Sequence, residues 1–277
     1  MFFILLLSFE FVHTSSIFGD VLIPSEKVPI SNDTIIENVS DIPEENYEKI
    51  VGGVETDIEK RPYQVALILD NKYFCGGFII SENYVLTAAH CAEGIAPENV
   101  TMRIGSSWRR NGTIVPISEV WTHPEYGQPT FDKDVAVLKT ASPLEFNDRV
   151  QPVKLPPLGR PMVGSTDIDV SGWGRTQQGA PTIPERLMEV TIPVVNYYQC
   201  FLSYYAYLTK NMFCAGNFFL GGKGTCQGDS GGAAVQDGYC VGIVSFGRGC
   251  AQPLSPSVFA NIAQPDIRNF IREHTGL

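Results

Sequence analysis

The segment GDSGGAAVQDGYCVGIVSF, residues 228–246, sets a serine among glycines and follows it at once with an apolar stretch that contains a turn signal. Asp237-Gly238 is a favoured β-turn pair, and short apolar runs flank it on both sides. The pattern predicts a β-hairpin directly after Ser230, where a helix is the other option. The segment therefore favours an all-β chain.

Similar short runs, apolar or alternating and separated by turn residues, recur from residue 50 onward. Their number and spacing predict a β-sandwich or barrel. The Pro-rich stretch 151–161 divides them into two halves, about 50–153 and 154–277. The predicted strands are Tyr63–Leu69, Phe78–Ile80, Tyr84–Thr87, Val100–Ile104, Val135–Lys139, Ile168–Ser171, Glu189–Val194 and Tyr239–Phe246.

Two stretches have helical character. The first is Asn196–Tyr204. The second begins at Pro265, because proline suits the first turn of a helix. The residues that share one face of this C-terminal helix are Ile267, Phe270, Ile271 and His274.

The N-terminal part differs in composition from the rest. Residues 1–16 contain an apolar run too short to span a bilayer and are interpreted as a signal peptide, with an uncleaved signal anchor as the alternative. Residues 17–49 form an acidic, Pro-containing tether, interpreted as a propeptide. The chain has 30 acidic and 20 basic residues, and 21 and 18 of these fall in residues 50–277. This balance argues against a nucleic-acid partner.

Two further features agree with secretion. Seven cysteines favour an oxidising compartment. Asn111-Gly112 is part of a glycosylation sequon and is equally a hairpin turn signal. We expect an extracellular monomer with no membrane association. The candidate glycosylation sites are Asn32, Asn38, Asn99 and Asn111.

Three motifs carry the groups needed for nucleophilic catalysis by serine. They are TAAHC at 87–91, DKDVAVL at 132–138 and GDSGG at 228–232. A serine hydroxyl is a poor nucleophile until a base takes its proton, and an imidazole oriented by a buried carboxylate is such a base. Glycines beside the serine allow backbone N–H groups to approach a developing oxyanion.

With IVGG at 50–53, SGWG at 171–174 and IVSFG at 243–247, these motifs resemble the trypsin/chymotrypsin family of serine endopeptidases. The resemblance covers residues 50–277. It implies two packed six-stranded antiparallel β-barrels with a C-terminal helix, the trypsin-like serine protease fold.

The resemblance also implies roles for individual residues. His90 is expected to act as general base, Asp134 as its orienter and Ser230 as nucleophile. The N–H groups of Gly228 and Ser230 are expected to form the oxyanion hole. Asp132 competes with Asp134 for the carboxylate role, and we prefer Asp134 because an apolar run follows it directly, as in the family.

The resemblance also implies activation of a zymogen by cleavage, with roles for three residues of this chain. Cleavage of Lys49–Ile50 is expected to free the Ile50 amine, which would insert beside Asp229 and form a buried ion pair. A buried carboxylate without such a partner is costly. The expected activator is a separate trypsin-like protease, since the specificity pocket described next is not suited to lysine.

By resemblance, Gly224 stands where trypsin-like relatives carry an aspartate at the base of the specificity pocket. No carboxylate is then available for a substrate Lys or Arg, and we expect cleavage after Phe, Tyr, Leu or Met. Thr225 and Ser257 would shorten the pocket in an elastase-like alternative that favours smaller apolar residues. Ser245 and Gly247 are expected to line the other wall.

The resemblance implies three disulfides and leaves Cys240 as a free, buried thiol. It implies no cofactor: loop 105–110 lacks the carboxylates of calcium-binding relatives, and Pro256 stands where sodium-responsive relatives carry tyrosine. The implied partners are protein or peptide substrates and protein inhibitors. The implied disulfide pairs are Cys75–Cys91, Cys200–Cys214 and Cys226–Cys250.

Three other interpretations are weighed against this one. GDSGG also fits the nucleophile elbow of α/β-hydrolases, with Asp237 or Asp266 and then His274 as later triad members, but that fold needs a helix after Ser230. A catalytically dead binding homologue would normally lack a triad residue. A regulatory cascade protease often carries Cys-rich modules, and residues 17–49 contain no cysteine.

Overall fold

The computed structural model describes residues 50–127 and 130–277. The signal peptide and propeptide predicted over residues 1–49, which include Lys49, Asn32 and Asn38, lie outside the described residues. No helix in the described part of the chain is long and apolar enough to cross a membrane.

Six antiparallel strands close the first barrel. A two-residue strand β1 (Val54–Glu55) and a 3-10 turn (Ile58–Lys60) precede it. The barrel strands pair in the order β2-β3-β4-β7-β6-β5. They are β2 (Gln64–Leu69), β3 (Lys72–Ile79), β4 (Tyr84–Thr87), β5 (Val100–Ile104), β6 (Thr113–Thr122) and β7 (Ala136–Thr140).

The second sheet is also antiparallel and has the order β1-β9-β8-β11-β12-β13-β10. A single isolated bridge joins Val194, the residue after β9, to Ala215 of β10, so the six strands from β9 to β10 curve into a partly closed barrel and β1 pairs with β9 outside it. The prediction of two packed barrels is confirmed. The strands are β8 (Asp167–Gly172), β9 (Met188–Pro193), β10 (Met212–Ala215), β11 (Ala233–Gln236), β12 (Tyr239–Phe246) and β13 (Ser257–Asn261).

Both predicted helices are present, along with a short one after β4. This first helix, α1, spans Ala89–Ala92, and the second, α2, spans Tyr197–Tyr204. The Asn196 side chain caps α2 by accepting the Gln199 N–H at 3.0 Å. The third, α3 (Pro265–Thr275), buries the predicted apolar face against the first barrel, where the His274 ring lies 5.1 Å from that of Trp121.

Strand β6 was not predicted from the sequence. Proline in a strand cannot donate to the ladder, and Pro116 therefore weakens the strand signal. The strand accommodates it because the β6–β7 register is irregular between Ile117 and Glu119, next to the proline. The Asn111-Gly112 turn does lie between antiparallel strands, but the whole connection of residues 105–112 forms the hairpin loop.

Polar and backbone contacts fix one barrel against the other. The Ser171 hydroxyl of β8 donates to the Gln64 side-chain oxygen of β2 at 2.7 Å, and both groups are buried. The Gly76 N–H of β3 donates to the Ser230 carbonyl at 2.8 Å. The turn that carries Ser230 is therefore held at the barrel interface.

Candidate active site

His90 and Asp134 meet because β4 and β7 are paired. His90 lies on α1, directly after β4, and Asp134 lies two residues before β7. Thr87 and Ala136 face each other in that ladder, so the two ends of the pair are adjacent. The His90 Nδ1 atom is 2.8 Å from Oδ2 of Asp134, and the His90 backbone N–H donates to Oδ1 at 2.9 Å.

The Asp134 carboxylate is fully buried and receives a further hydrogen bond. The Ser245 hydroxyl donates to Oδ2 at 2.6 Å. A carboxylate that faces Nδ1 places the ring proton on that nitrogen and leaves Nε2 as the acceptor. The imidazole is thereby held with Nε2 as the acceptor nitrogen, the orientation that the predicted general base requires.

Asp132 lies in different surroundings. It accepts hydrogen bonds from the Thr209 hydroxyl at 2.5 Å and from the Asn211 amide at 3.1 Å. The structure therefore joins Asp134, and not Asp132, to the imidazole of His90. Asp132 instead ties the loop before β7 to the segment before β10.

Ser230 lies on a tight turn beside the start of α1. Gly231 has φ +80°, and a Cβ added there would lie 2.1 Å from Oγ1 of Thr87 and 3.1 Å from the Ala88 nitrogen. Only glycine permits this approach. Since Thr87 and Ala88 directly precede the His90 helix, the turn that carries Ser230 packs against the chain just before that helix.

The turn also presents unused backbone donors. Among the described residues, neither the Gly228 N–H nor the Ser230 N–H donates a hydrogen bond. Gly228 has φ +99°, which glycine adopts without cost. Two free N–H groups, one on the serine itself and one two residues before it, are donors of the kind that an oxyanion hole requires.

Two residues that the sequence did not indicate hold this turn from behind. The Tyr73 hydroxyl donates to the Gly228 carbonyl at 2.5 Å. The Arg175 N–H donates to the Gln227 carbonyl at 2.8 Å. These contacts fix the peptide groups on both sides of Gly228. Tyr73 lies in none of the quoted motifs, and Arg175 follows SGWG without being part of it, so no sequence signal identified them.

Asp229 is buried with backbone donors alone. Its carboxylate accepts the Gly174 N–H at 2.8 Å and the Cys226 N–H at 2.9 Å. Burial raises the pKa of this carboxyl to about 7, and the two N–H groups lower it in part. No cationic side chain of the described residues pairs with it. A Cβ on Gly174 would lie 2.3 Å from the carboxyl carbon, so the fit around Asp229 is close.

Ile50 is buried in the second barrel. Its side chain belongs to the apolar cluster that contains Ile168 and Val170. Its φ is +49°, a conformation that is strained for a β-branched residue. Ile50 is therefore both buried in the apolar cluster and strained in its backbone.

Four of the predicted pocket residues lie close together, since Gly224, Thr225 and Gly247 are all near Ser257. The Thr225 hydroxyl donates to Oγ of Ser257 at 2.8 Å, and both side chains are buried. A Cβ on Gly224 would lie 3.4 Å from this Oγ and from two atoms of Ala251. The Ser245 hydroxyl donates to Asp134. A Cβ on Gly247 would have only ordinary contacts, the nearest at 3.6 Å.

An aromatic pair beside the imidazole was also missed. The Phe131 ring stacks on Phe246 with ring centres 5.0 Å apart and meets the His90 ring edge-on at 6.4 Å. Phe131 has φ +60° and remains partly exposed. Because the two phenylalanines come from different barrels, their meeting has no signal in local sequence.

Disulfides frame the site. The structure contains Cys75–Cys91, Cys200–Cys214 and Cys226–Cys250. Cys240 is free and fully buried, and burial raises its pKa. The Cys75 and Cys91 sulfurs lie near a ring nitrogen of His90, but they are bonded to each other and are not metal ligands. Of the four sequons, Asn99 and Asn111 lie in the described part and are exposed.

Comparison with known proteins gives a consistent result. The family model described as Trypsin matches residues 50–271. The chain is similar to the protein named Trypsin from Phaedon cochleariae, with 41% identity over 231 residues, 82% of this chain and 88% of that protein. It is also 41% identical to Trypsin 5G1 of Aedes aegypti, over 83% of this chain and 86% of that protein. Hypodermin-A of Hypoderma lineatum is 38% identical over 78% of this chain and 84% of that protein.

Proposed function

Because the chain belongs to the trypsin family of serine endopeptidases, we propose that residues 50–277 hydrolyse peptide bonds through an acyl-enzyme on Ser230. One observation carries the assignment of roles. The His90 ring is hydrogen-bonded through Nδ1 to buried Asp134, and the Ser230 turn packs against the residues just before the His90 helix.

The first half-reaction follows from this arrangement. Nε2 of His90 takes the Ser230 proton as the Oγ attacks the scissile carbonyl, and Asp134 stabilises the imidazolium that forms. The carbonyl oxygen becomes an oxyanion and accepts the N–H groups of Gly228 and Ser230. His90 then gives the proton to the leaving amine, the C–N bond breaks, and an ester to Ser230 remains.

Water completes the cycle. His90 takes a proton from the water that attacks the ester, and the same two N–H groups hold the second oxyanion. The C–O bond to Ser230 breaks, and Nε2 returns the proton to Oγ. Atoms balance to one peptide bond and one water consumed for one acid and one amine released.

The substrates are proposed to be cut after large apolar residues, namely Phe, Tyr, Leu or Met. Support comes from Gly224, which leaves the base of the pocket without a carboxylate, and from Gly247, which leaves its mouth open. Several relatives carry the name trypsin. The absence of an acid at position 224 is the reason to propose a different preference here.

An elastase-like preference for smaller residues is the second candidate. It is favoured by the Thr225–Ser257 hydrogen bond, since the two joined side chains fill space at the base of the pocket. Because the Thr225 hydroxyl already has Ser257 as its hydrogen-bond partner, the substrate side chain does not have to supply a polar group there. The size of the substrate residue is therefore the property that separates the two candidates.

We propose that the chain is made as a zymogen cut at Lys49–Ile50. A free Ile50 amine would supply the cation that Asp229 lacks, and a buried pair is far less costly than a buried lone carboxylate. Cutting also removes the preceding peptide group and with it the positive-φ strain at Ile50. Residues 17–49 are the proposed propeptide.

The remaining proposals concern context. Secretion, with residues 1–16 as signal peptide, agrees with three disulfides and with exposed sequons at Asn99 and Asn111. The proposed partners are protein substrates, a trypsin-like activator and protein inhibitors. The proposed enzyme is a monomer that uses no cofactor.

The test is a panel of peptide substrates that differ only in the residue before the scissile bond. The full chain is first treated with trypsin, which is then inhibited. We expect kcat/KM for Phe or Leu to exceed that for Arg by at least about tenfold. A chain with Ser230→Ala, treated identically, measures activity carried over from the activator. A preference for Arg would contradict the proposed pocket chemistry.

A further inference from the structure

A sizeable cavity lies outside the proposed specificity pocket. Its volume is about 620 Å³, and it opens between β3, β5 and the segment that precedes β9. It shares no residue with the pocket formed by Gly224, Thr225 and Ser257. This volume lies within the range of about 300–1,000 Å³ that is typical of ligand pockets in proteins.

The charged lining of this cavity is almost entirely cationic. It includes five basic side chains and a single carboxylate, that of Glu185. Five positive charges against one negative charge leave a net charge of +4, whereas residues 50–277 as a whole have fewer basic than acidic residues. The five basic residues are Lys72, Arg103, Arg109, Arg110 and Arg175.

The lone carboxylate is already shared. One oxygen of Glu185 lies 2.6 Å from Arg109 and 3.1 Å from Arg110. Arg109 is buried and also lies 5.6 Å over the Tyr73 ring, so it is fixed in the cavity wall. Among the described residues, no ion pair involves Lys72, Arg103 or Arg175. The cavity therefore holds unneutralised positive charge.

The cavity wall continues into the proposed catalytic turn. Tyr73 lines the cavity, and its hydroxyl bonds the Gly228 carbonyl. Arg175 also lines it, and its backbone N–H bonds the Gln227 carbonyl. A polypeptide whose scissile carbonyl reaches the Gly228 N–H therefore passes beside the cavity.

We propose that this cavity binds an acidic segment of the protein substrate, located after the scissile bond. The substrate residue before the scissile bond is assigned to the separate Gly224 pocket. The cavity is therefore assigned to substrate residues after that bond, on the side of the leaving amine. Aspartate and glutamate side chains would pair with Lys72, Arg103 and Arg175. This inference rests on the proposed function and adds to it a preference for acidic sequence.

The test uses quenched peptides with one common core, cleaved after Phe and free of Lys and Arg. One carries Asp-Glu-Asp-Glu after the core, a second carries Asn-Gln-Asn-Gln there, and a third carries the acidic tail before the core. With the trypsin-activated chain at low salt, we expect the first to have about tenfold higher kcat/KM than the second. The ratio should fall towards one at about 1 M salt, where the Debye length is about 3 Å.

Two double variants locate the effect. Lys72→Gln with Arg103→Gln should lower the ratio of the first to the second peptide to about threefold or less. Lys60→Gln with Lys154→Gln removes the same charge from exposed sites that do not line the cavity, and the ratio should stay near tenfold.

Each other outcome overturns the proposal. Equal kcat/KM for the first two peptides at low salt would show that the cavity does not bind acidic substrate residues, while the proposed function stands. A preference for the third peptide would place the acidic site before the bond. Binding of a sulfated oligosaccharide without any tail preference would assign the cavity to another polyanion. Failure to cut any peptide would overturn the proposed function itself.

Discussion

The Ser245 hydroxyl donates a 2.6 Å hydrogen bond to Oδ2 of Asp134, the same oxygen that lies 2.8 Å from Nδ1 of His90. Ser245 is on β12 of the second barrel and Asp134 precedes β7 of the first. The carboxylate that orients the imidazole is therefore held from both barrels. Relative displacement of the barrels would disturb the base before it disturbed either core.

Replacing Ser245 tests this arrangement. In Ser245→Ala, Oδ2 of Asp134 loses one hydrogen-bond donor, and the carboxylate beside the imidazole is held less firmly. We expect kcat to fall about tenfold or less with little change in KM, because the loss affects the position of the imidazole and not the binding of substrate. Steady-state kinetics with one peptide substrate measures both constants. Ser118→Ala, which removes a hydroxyl from β6, is the control, and an equal kcat in both variants would refute the prediction.

A second prediction concerns the pocket base. Gly224 has space for a side chain, since an added Cβ would lie 3.4 Å from its nearest neighbours, Ala251 and Ser257. Gly224→Asp should place a carboxylate there and raise the ratio of kcat/KM for Arg to that for Phe by at least about tenfold. Gly224→Asn is the uncharged control of similar size. If Asn changes the ratio as much as Asp does, the charge argument is wrong.

A third prediction concerns the hydroxyl of Tyr73. In Tyr73→Phe the Gly228 carbonyl loses its donor, and the turn that offers the two N–H groups becomes less fixed. We expect kcat to fall about three- to tenfold with little change in KM, because the N–H groups act on the transition state. Tyr84→Phe removes a hydroxyl from β4 and should leave kcat unchanged. An equal rise in KM with constant kcat would point to a role in substrate binding instead.

The uncut chain should show an unusual pH dependence of stability. Burial raises the pKa of Asp229 to about 7, whereas an unfolded aspartate has a pKa of about 3.9. Between these values the folded chain holds a proton that the unfolded chain has lost. Stability is therefore expected to fall as pH rises from about 4 to about 7.

Thermal unfolding of the full, uncut chain measures this effect. Asp229→Asn should abolish the fall between pH 4 and 7, and Asp148→Asn, which changes an exposed acid, should retain it. After cleavage at Lys49–Ile50 the fall should shrink, because the new amine pairs with the carboxylate. The same slope in the wild-type and Asp229→Asn chains would mean that the carboxyl does not titrate in this range.

Much of the fold was accessible from sequence because strand signals here are local. β2, β4, β5, β8, β9 and β12 each contain an apolar run bounded by turn residues, and Pro265 marks the start of α3. β6 was missed because Pro116 masks it. The short strands β10 and β13 were also missed.

The site residues also differ in whether a local sequence pattern could identify them. His90, Asp134 and Ser230 stand in recognisable motifs, and the preference for Asp134 over Asp132 agrees with the contacts of both residues. Tyr73 and Phe131 act through partners that are distant in the chain. The cationic cavity likewise collects Lys72, Arg103 and Arg175 from three separate segments. Such groupings depend on how the barrels pack, which no local pattern encodes.

The most direct test of the central claim is covalent labelling of the activated chain with a sulfonyl fluoride, followed by peptide mass spectrometry. A serine made nucleophilic by His90 and Asp134 should take up one label per chain, on Ser230, with simultaneous loss of peptide hydrolysis. His90→Ala should abolish labelling under the same conditions. Labelling of another residue, or undiminished hydrolysis after Ser230 has been labelled, would contradict the account.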